Sequence, residues 1–293
     1  MGPVSTLVFS HANGFGAGTY QKLFEIWRQA GFRVVAVERF GHDPAYPVSS
    51  NWPRLRDQLI DFVQTQSPGQ PVHLVGHSLG GYLSLLAACR QPALAASLTL
   101  VDSPVVAGWR AHSLQVLKSG GLFKRFSPGR VSSRRRWQWP SRQAALAHFQ
   151  GKAAFAAWDA EVLLDYIESG TEPDPEATAL THAHAHAQAQ AQAQAPTDSS
   201  EPVRLSFSRE VETRIYNTLP HQMGAVLSRH PPKCKVSYIA GTRSSEGRQV
   251  GMAFTRMLVH DRIQWVEGSH LFPMEHPVQA AQAVLTAIRQ TLR

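Results

Sequence analysis

Gly76-His77-Ser78-Leu79-Gly80-Gly81 follows the apolar run Val72 to Val75 and opens a stretch with helical spacing through Leu83, Leu86 and Ala87. A serine between small residues, after a strand and before a helix, has the pattern Gly-x-Ser-x-Gly of a nucleophile elbow. The physics is steric: so sharp a turn forces an uncommon backbone conformation on Ser78 and closes only if its neighbours are small. It lifts Ser78 Oγ above the sheet and aims the backbone N–H of Leu79 at an incoming carbonyl oxygen, where charge develops. A serine hydroxyl is almost never ionised near neutral pH, so it needs a neutral imidazole to take its proton. The chemistry this predicts is acyl transfer. The plain alternative is a glycine-rich turn that happens to contain serine; the preceding strand, the following helix and the third glycine weigh against it.

Such a serine needs a sheet edge to stand on, and the first third of the chain supplies one. Thr6 to Phe9, Phe32 to Val37, Pro71 to Val75 and Ser97 to Val101 are short apolar runs. Helical patterns separate them: Tyr20, Leu23, Phe24 and Trp27, stopped by Gly31, then Leu55, Leu59, Ile60 and Val63. This βαβα rhythm predicts an α/β fold, a doubly wound parallel sheet with helices on both faces. It resumes with Val236 to Ala240 and Ile263 to Val266, and Ala280 to Leu292 reads as a closing helix. Domain boundaries follow: 1–103 and 233–293 as core, and 104–232 as a mainly helical insertion. Within the insertion, Val203 to Phe207 alternates like a strand and Val211 to Leu219 has helical spacing. Residues 171–202 hold His-Ala and Gln-Ala repeats between Pro-, Asp-, Glu- and Ser-rich flanks. That composition offers little to bury, and predicts a disordered loop.

The 293 residues include 43% hydrophobic and 17% charged residues, enough for a sizeable core. No run is long and apolar enough to span a membrane. Met1 to Thr6 has no basic n-region and leads into the first strand, so the reading is of a cytoplasmic protein without a secretion signal; the Met1-Gly2…Thr6 match to a myristoylation pattern is weak. Cys89 and Cys234 are too few for a disulfide scaffold or zinc cluster and read as small buried apolar residues. His182, His184 and His186 have the spacing of an adventitious metal site in a loop, and no cofactor or metal is expected. The net charge of +8 is local. Ten Lys or Arg (Arg110, Lys118, Lys124, Arg125, Arg130, Arg134, Arg135, Arg136, Arg142 and Lys152) lie between Ser103 and Trp158 with no Asp or Glu; the rest of the chain has 19 basic and 21 acidic residues. A solvated helical surface is the plain reading; an anionic small-molecule substrate or an acidic surface is the sharper one. Phe123, Phe126, Trp137 and Trp139 are interleaved there, but no nucleic-acid motif accompanies them, and apolar cap packing accounts for them equally well.

On the elbow motif in its strand–helix setting, the chain resembles the α/β-hydrolase superfamily over residues 4–104 and 233–293. It is similar to the capped branch that includes epoxide hydrolases, haloalkane dehalogenases and small-molecule esterases. The resemblance implies about six strands, all parallel, with the usual N-terminal antiparallel hairpin missing, and a cap over the site. His11-Ala12-Asn13-Gly14-Phe15 is similar to the family's oxyanion loop, with Ala12 at a usual glycine. The match makes the Asn13 backbone N–H the second oxyanion donor beside Leu79. His11, Phe15 and His77 are candidate substrate contacts, and Arg39, His42 and His221 are placed near the cleft without roles. Gly268-Ser269-His270-Leu271-Phe272-Pro273 resembles the loop of the catalytic histidine; His276 is a rival six residues on. The usual acid slot, Gly241-Thr242-Arg243-Ser244, holds a serine. Some branches carry the acid at the end of the preceding core strand, which matches Asp102; Glu246 is the runner-up, and a loop-capping role before Pro104 is the plain alternative for Asp102.

The reading is a cofactor-independent serine hydrolase, a carboxylesterase acting on a small-molecule ester through Ser78, His270 and Asp102. Two alternatives stand beside it. One is a C–C bond or thioester hydrolase with the same residues. The other is a hydrolase-like ligand-binding protein with little turnover, favoured by the vacant acid slot and the basic cap. Lid aromatics from Trp137 to Tyr166, with Leu163 and Leu164, are expected to form cap core and shape an apolar pocket.

Overall fold

The computed structural model describes residues 4–105, 132–179, 201–260 and 262–292. Its centre is a six-stranded sheet. The strands are β1 (Thr6–Ser10), β2 (Arg33–Ala36), β3 (Val72–His77), β4 (Ala95–Val101), β8 (Lys235–Gly241) and β9 (Ile263–Val266), in the order β2-β1-β3-β4-β8-β9. Every neighbouring pair is parallel, and among the described residues no antiparallel strand joins this sheet.

Period-2 alternation divides each strand between two cores. Leu7 and Phe9 face helix α1 (Gln21–Gln29) and the closing helix Pro277–Leu292. Val8, Leu74, Leu98, Leu100, Val236 and Tyr238 face α2 (Pro53–Gln66), α3 (Leu79–Arg90) and the helix Ala253–Val259. With both faces covered, β1 and β3 are buried along their whole length, as parallel strands require. Trp27 ties α1 to the closing helix by donating from Nε1 to the Ala281 carbonyl at 3.1 Å.

The strand order reverses between β1 and β3. After β1 the chain moves outward to β2, then returns to the other side of β1. The carboxyl ends of β1 and β3 therefore lie side by side, in register Ser10↔Gly76, and open sheets place ligand sites at such a crevice.

Between β4 and β8 the described residues form a cap. It contains helices Arg142–Gln150, Ala160–Gly170, Arg209–Asn217 and Met223–Arg229, and also a small antiparallel sheet, β5 (Gln138–Trp139), β6 (Thr171–Pro173) and β7 (Val203–Leu205), in the order β5-β7-β6. The cap is mainly helical, with a strand where residues 203–207 alternate. One expectation changes: Thr171–Pro173, expected within the disordered loop, is a strand. Thr171–Pro173 pairs with Val203–Leu205, and buried Asp174 donates its N–H to the Pro202 carbonyl at 2.9 Å while its carboxylate accepts from Gln138 Nε2 at 2.6 Å. A Thr-Glu-Pro strand has no apolar face to announce it; its partner β7, with Val203 and Leu205 inward, supplies the burial. The His-Ala and Gln-Ala repeats, His182, His184 and His186 included, fall outside the described residues, as do Arg110, Lys118, Phe123, Lys124, Arg125, Phe126 and Arg130.

The cap aromatics are spent internally. The Arg209 guanidinium lies 4.9 Å from the Trp137 ring centroid and that of Arg136 5.7 Å from Trp139. Phe149, Phe155, Trp158 and Tyr166 pack on one another at centroid distances of 4.6–5.8 Å. Leu164, in contrast, is exposed.

The central strand should be the least forgiving place for a cavity. Leu74, fully buried on β3, has core on its face from α2, α3 and β4. Leu74→Ala is expected to cost about 2–5 kcal/mol of unfolding free energy in a urea titration. A loss below 1 kcal/mol would contradict this packing.

Candidate active site

Ser78 stands between the end of β3 and the start of α3 with φ +52° and ψ −114°. For a residue with a Cβ this is strained by about 1–3 kcal/mol and persists only where its surroundings enforce it. They do. The Ser78 N–H donates to the Val101 carbonyl at 3.0 Å, and its own carbonyl accepts from Gly81 N at 3.1 Å and Ser103 Oγ at 2.9 Å. A Cβ on Gly76 would collide with the Gly80 carbonyl, and one on Gly80 with the carbonyl of Ser10. The glycines of the motif are thus packing requirements, and the second presses the elbow against the end of β1.

Three residues far apart in sequence meet at this corner. His270, in the loop between β9 and the short helix Phe272–Glu275, places Nε2 3.0 Å from Ser78 Oγ and Nδ1 2.7 Å from Asp102 Oδ2. A carboxylate only accepts, so Nδ1 carries the proton and Nε2 is left bare, able to accept from the serine hydroxyl. Asp102 follows β4, is almost fully buried and, like Ser78, has a positive φ, +46°. Its N–H is held by the Ile239 carbonyl at 2.8 Å. Ser244 Oγ also donates to Oδ2, and the Gly241 N–H approaches Oδ1 at 3.4 Å. The serine in the usual acid slot therefore donates to a carboxylate arriving from the neighbouring strand. Glu246 does not enter this arrangement as an acid; its backbone N–H donates to Ser244 Oγ at 3.2 Å. His276 follows the helix Phe272–Glu275, with its N–H on the Phe272 carbonyl.

The loop of His270 is fastened from two sides. Glu275 accepts from the Ser269 N–H at 2.9 Å and from Ser269 Oγ, and Arg243 reaches Glu275 at 3.4 Å. His77 holds the other side, and here the structure departs from the expectation of a substrate contact. Its ring is fully buried; Nε2–H donates to the His270 carbonyl at 2.9 Å, and Nδ1 accepts from Tyr20 OH at 2.8 Å, whose oxygen in turn accepts from the Ala12 N–H at 3.2 Å. One proton arrangement satisfies this chain, and it links the loop after β1 to the loop of His270. His11 is likewise turned inward, donating from Nδ1 to the Ala12 carbonyl at 2.8 Å and accepting the Phe40 N–H on Nε2 at 3.0 Å. Neither imidazole has a nitrogen left for a ligand. Tyr20 could have been noticed on its helix face, but nothing local marks it as the partner of His77.

Of the remaining candidates, Leu79 is the first residue of α3, where a helix leaves its N–H without an intrahelical acceptor. The Asn13 side chain is committed to the cap, donating from Nδ2 to the Glu212 carbonyl at 3.1 Å. Phe15 is half-buried against the cap rings of Trp158 and Tyr166, at 5.6 and 5.7 Å. Arg39 and His42 fasten the cap, through the Ser206 carbonyl at 2.7 Å and the Ser208 N–H at 2.9 Å. The His221 N–H donates to Asn51 Oδ1. Among the described residues no group of three or more His, Cys, Asp or Glu is placed to hold a metal, and no helix is long and apolar enough to cross a membrane. Cys89 and Cys234 are thiols, both pushed up by burial, to about 12 and about 11.

Burial holds His11 down to about 4 and His77 well below the ordinary histidine value, the latter helped by the nearby His270. Both are neutral in the folded protein and gain protons on unfolding once the pH falls below about 6.5. Their contribution to stability is complete above that value and is lost as the pH drops through it. For His11 alone the loss between pH 7.5 and pH 5 is about 2 kcal/mol. Urea midpoints measured at the two pH values should fall accordingly; a midpoint equal or higher at pH 5 would show that these rings are not buried neutral.

Comparisons with known proteins agree with the fold. Residues 7–283 match the sequence pattern of the Alpha/beta hydrolase family. A stretch of 141 residues is 30% identical to the monoglyceride lipase of Rattus norvegicus, covering 45% of this chain and 46% of that protein. Another of 111 residues is 32% identical to the monoglyceride lipase of Homo sapiens, covering 36% and 37%. The chain thus spans less than half the length of these curated relatives. Among solved structures, an E-2-(acetamidomethylene)succinate hydrolase superposes with a TM-score of 0.69 at 20% identity, covering 97% of this chain and 91% of that one. A thioesterase domain from the curacin biosynthetic pathway gives 0.66 at 19%, covering 96% and 90%. At those identities the structural likeness concerns the fold alone, whereas the family match extends over nearly the whole sequence: the chain belongs to the alpha/beta hydrolase family.

Proposed function

We propose that this hydrolase is a cofactor-independent serine carboxylesterase acting on a small-molecule ester. The observation that carries the reading is the continuous path Ser78 Oγ–His270–Asp102, at 3.0 and 2.7 Å, on a strained elbow. Ser78 Oγ attacks the ester carbonyl and its proton passes to His270 Nε2. The imidazolium so formed keeps its Nδ1–H on the Asp102 carboxylate, which fixes the ring's tautomer and stabilises its charge. The carbonyl oxygen, now carrying charge, accepts from the backbone N–H groups of Leu79 and Asn13. His270 then gives its proton to the departing alkoxide, and water repeats the sequence to release the acid and restore Ser78. Ser244 holds the Asp102 oxygen that faces His270 and so acts as a positioning residue. His77 does the same for the His270 main chain. The names of the monoglyceride lipase relatives are consistent with an ester substrate.

The same geometry serves a thioester or an activated C–C bond, and an ester panel run beside acyl-thioesters ranks them by kcat/KM. The binding-protein alternative draws on the vacant acid slot and the basic cap; the 2.7 Å contact of Asp102 with His270 weighs against the first of these.

Two experiments test this reading. A fluorophosphonate probe followed by intact mass should give one adduct on the wild type and none on Ser78→Ala. An unmodified wild type that is folded by circular dichroism would remove the enzyme reading. Asp102→Asn should lower kcat by about 10³–10⁴, as for a ring left in the wrong tautomer, while Glu246→Gln stays within about threefold. The reverse ranking would move the acid to Glu246.

A further inference from the structure

The cap sets a second polar cluster beside the loop that follows β1. Glu212, on the helix Arg209–Asn217, lies so close to Gly14 that a Cβ there would meet its Oε1 at 2.9 Å. The same residue's carbonyl accepts from Asn13 Nδ2. Arg135, from the basic stretch, places Nη2 2.8 Å from Glu212 Oε2. On the other side of the loop, Tyr166 lies against Phe15 and is 2% exposed. The pair lies against Asn13 and Gly14, and the ring against the neighbouring Phe15, so both flank the loop of the candidate oxyanion donor.

The cluster is not satisfied from within. Among the described residues, Tyr166 OH and Arg135 Nε–H have no acceptor, and Glu212 Oε2 meets Arg135 only through the ion pair. A buried donor left unpaired is costly, and a desolvated ion pair recovers its desolvation only when its remaining valences are filled. Buried groups with open valences on both sides of the candidate oxyanion loop are the arrangement a polar substrate group would complete. The chemistry of that group follows. Arg135 Nε–H and Tyr166 O–H donate, and Glu212 accepts, so the ligand must both accept and donate. Arg135 is already neutralised at 2.8 Å, and a carboxylate brought in beside it would also face Glu212. An anion is disfavoured and an uncharged group favoured, despite the local excess of basic residues.

We propose that Arg135, Tyr166 and Glu212 form a recognition site for an uncharged hydroxyl or carboxamide group carried by the ester beside its scissile carbonyl. The proposal rests on the ester-hydrolase reading and deepens it. Arg135, Tyr166 and Glu212 are specificity-determining residues: they select which ester Ser78 meets and take no part in bond making.

Isosteric ester pairs test it in a pH-stat. Ethyl 3-hydroxybutanoate against ethyl 3-methylbutanoate places the hydroxyl on the acyl side. 2-Hydroxyethyl butanoate against propyl butanoate places it on the alcohol side. Monoethyl succinate supplies the anion. For the wild type, kcat/KM should favour the hydroxylated member of at least one pair by at least about tenfold, with the anionic ester below it. Tyr166→Phe, which removes one oxygen and keeps the ring, should bring that preference to within about threefold, and Glu212→Gln should reduce it in the same pair. Equal rates within both wild-type pairs, or a preference for monoethyl succinate, overturn the proposal without needing any variant to fold. A tenfold preference that survives both substitutions overturns the assignment to these residues. Fluorophosphonate labelling of Ser78 in the wild type is read separately: its failure defeats the hydrolase reading, while labelling with no discrimination defeats only this one.

Discussion

The site depends on a backbone conformation that side chains normally refuse. Ser78 and Asp102 stand at the carboxyl ends of adjacent strands, and both have a positive φ, +52° and +46°. Each is held there by the strand beyond it: Ser78 N–H by Val101, and Asp102 N–H by Ile239. The strain at one corner is thus maintained by hydrogen bonds to the next, across β3, β4 and β8. The parallel sheet is what makes this possible, since it brings all three carboxyl ends to one edge. An isolated strand-to-helix turn with the same sequence would relax.

The buried polar groups around that corner follow one rule: every proton has a defined place. Asp102 takes donors from His270, Ser244 and the Gly241 amide. His77 gives its one N–H to His270 and takes one from Tyr20. In a region of low effective dielectric, a mis-set proton leaves an unpaired polar group, which is expensive. The network therefore selects the tautomer in which His270 Nε2 is bare. The cap cluster around Arg135 and Glu212 differs: among the described residues Arg135 Nε and Tyr166 OH have no hydrogen-bond partner.

If Asp102 is the acid, as proposed, a family pattern has shifted without changing the geometry. The ends of β4 and β8 are neighbours in the sheet, paired up to Val101↔Ile239. A carboxylate leaving either one reaches the same imidazole. With Asp102 on β4, the position after β8 needs only a donor, and Ser244 is one. The serine at 244 reads as a loss along the chain, while in space it donates to the carboxylate that meets His270.

Much was legible in the chain alone. Strand and helix periods marked the six strands and their order of appearance, because a residue buried on a two-sided sheet must be apolar whatever its distant neighbours are. Gly76 and Gly80 marked the elbow, because backbone atoms approach them too closely for any side chain. His270 came into view only through resemblance, and the choice between Asp102 and Glu246 stayed open. Tertiary structure decided the rest. His11 and His77 looked like pocket residues beside the motif, but a ring's direction depends on which buried carbonyls lie within its reach, here those of Ala12 and His270. Thr171–Pro173 looked disordered, but a strand can borrow its burial from its partner. Arg135 looked like one cation among ten until the fold set Glu212 against it, 77 positions away in the numbering. Local sequence fixes what a segment can bury; only the assembled chain determines which polar atoms find one another, because that pairing is a relation between segments and is written in none of them.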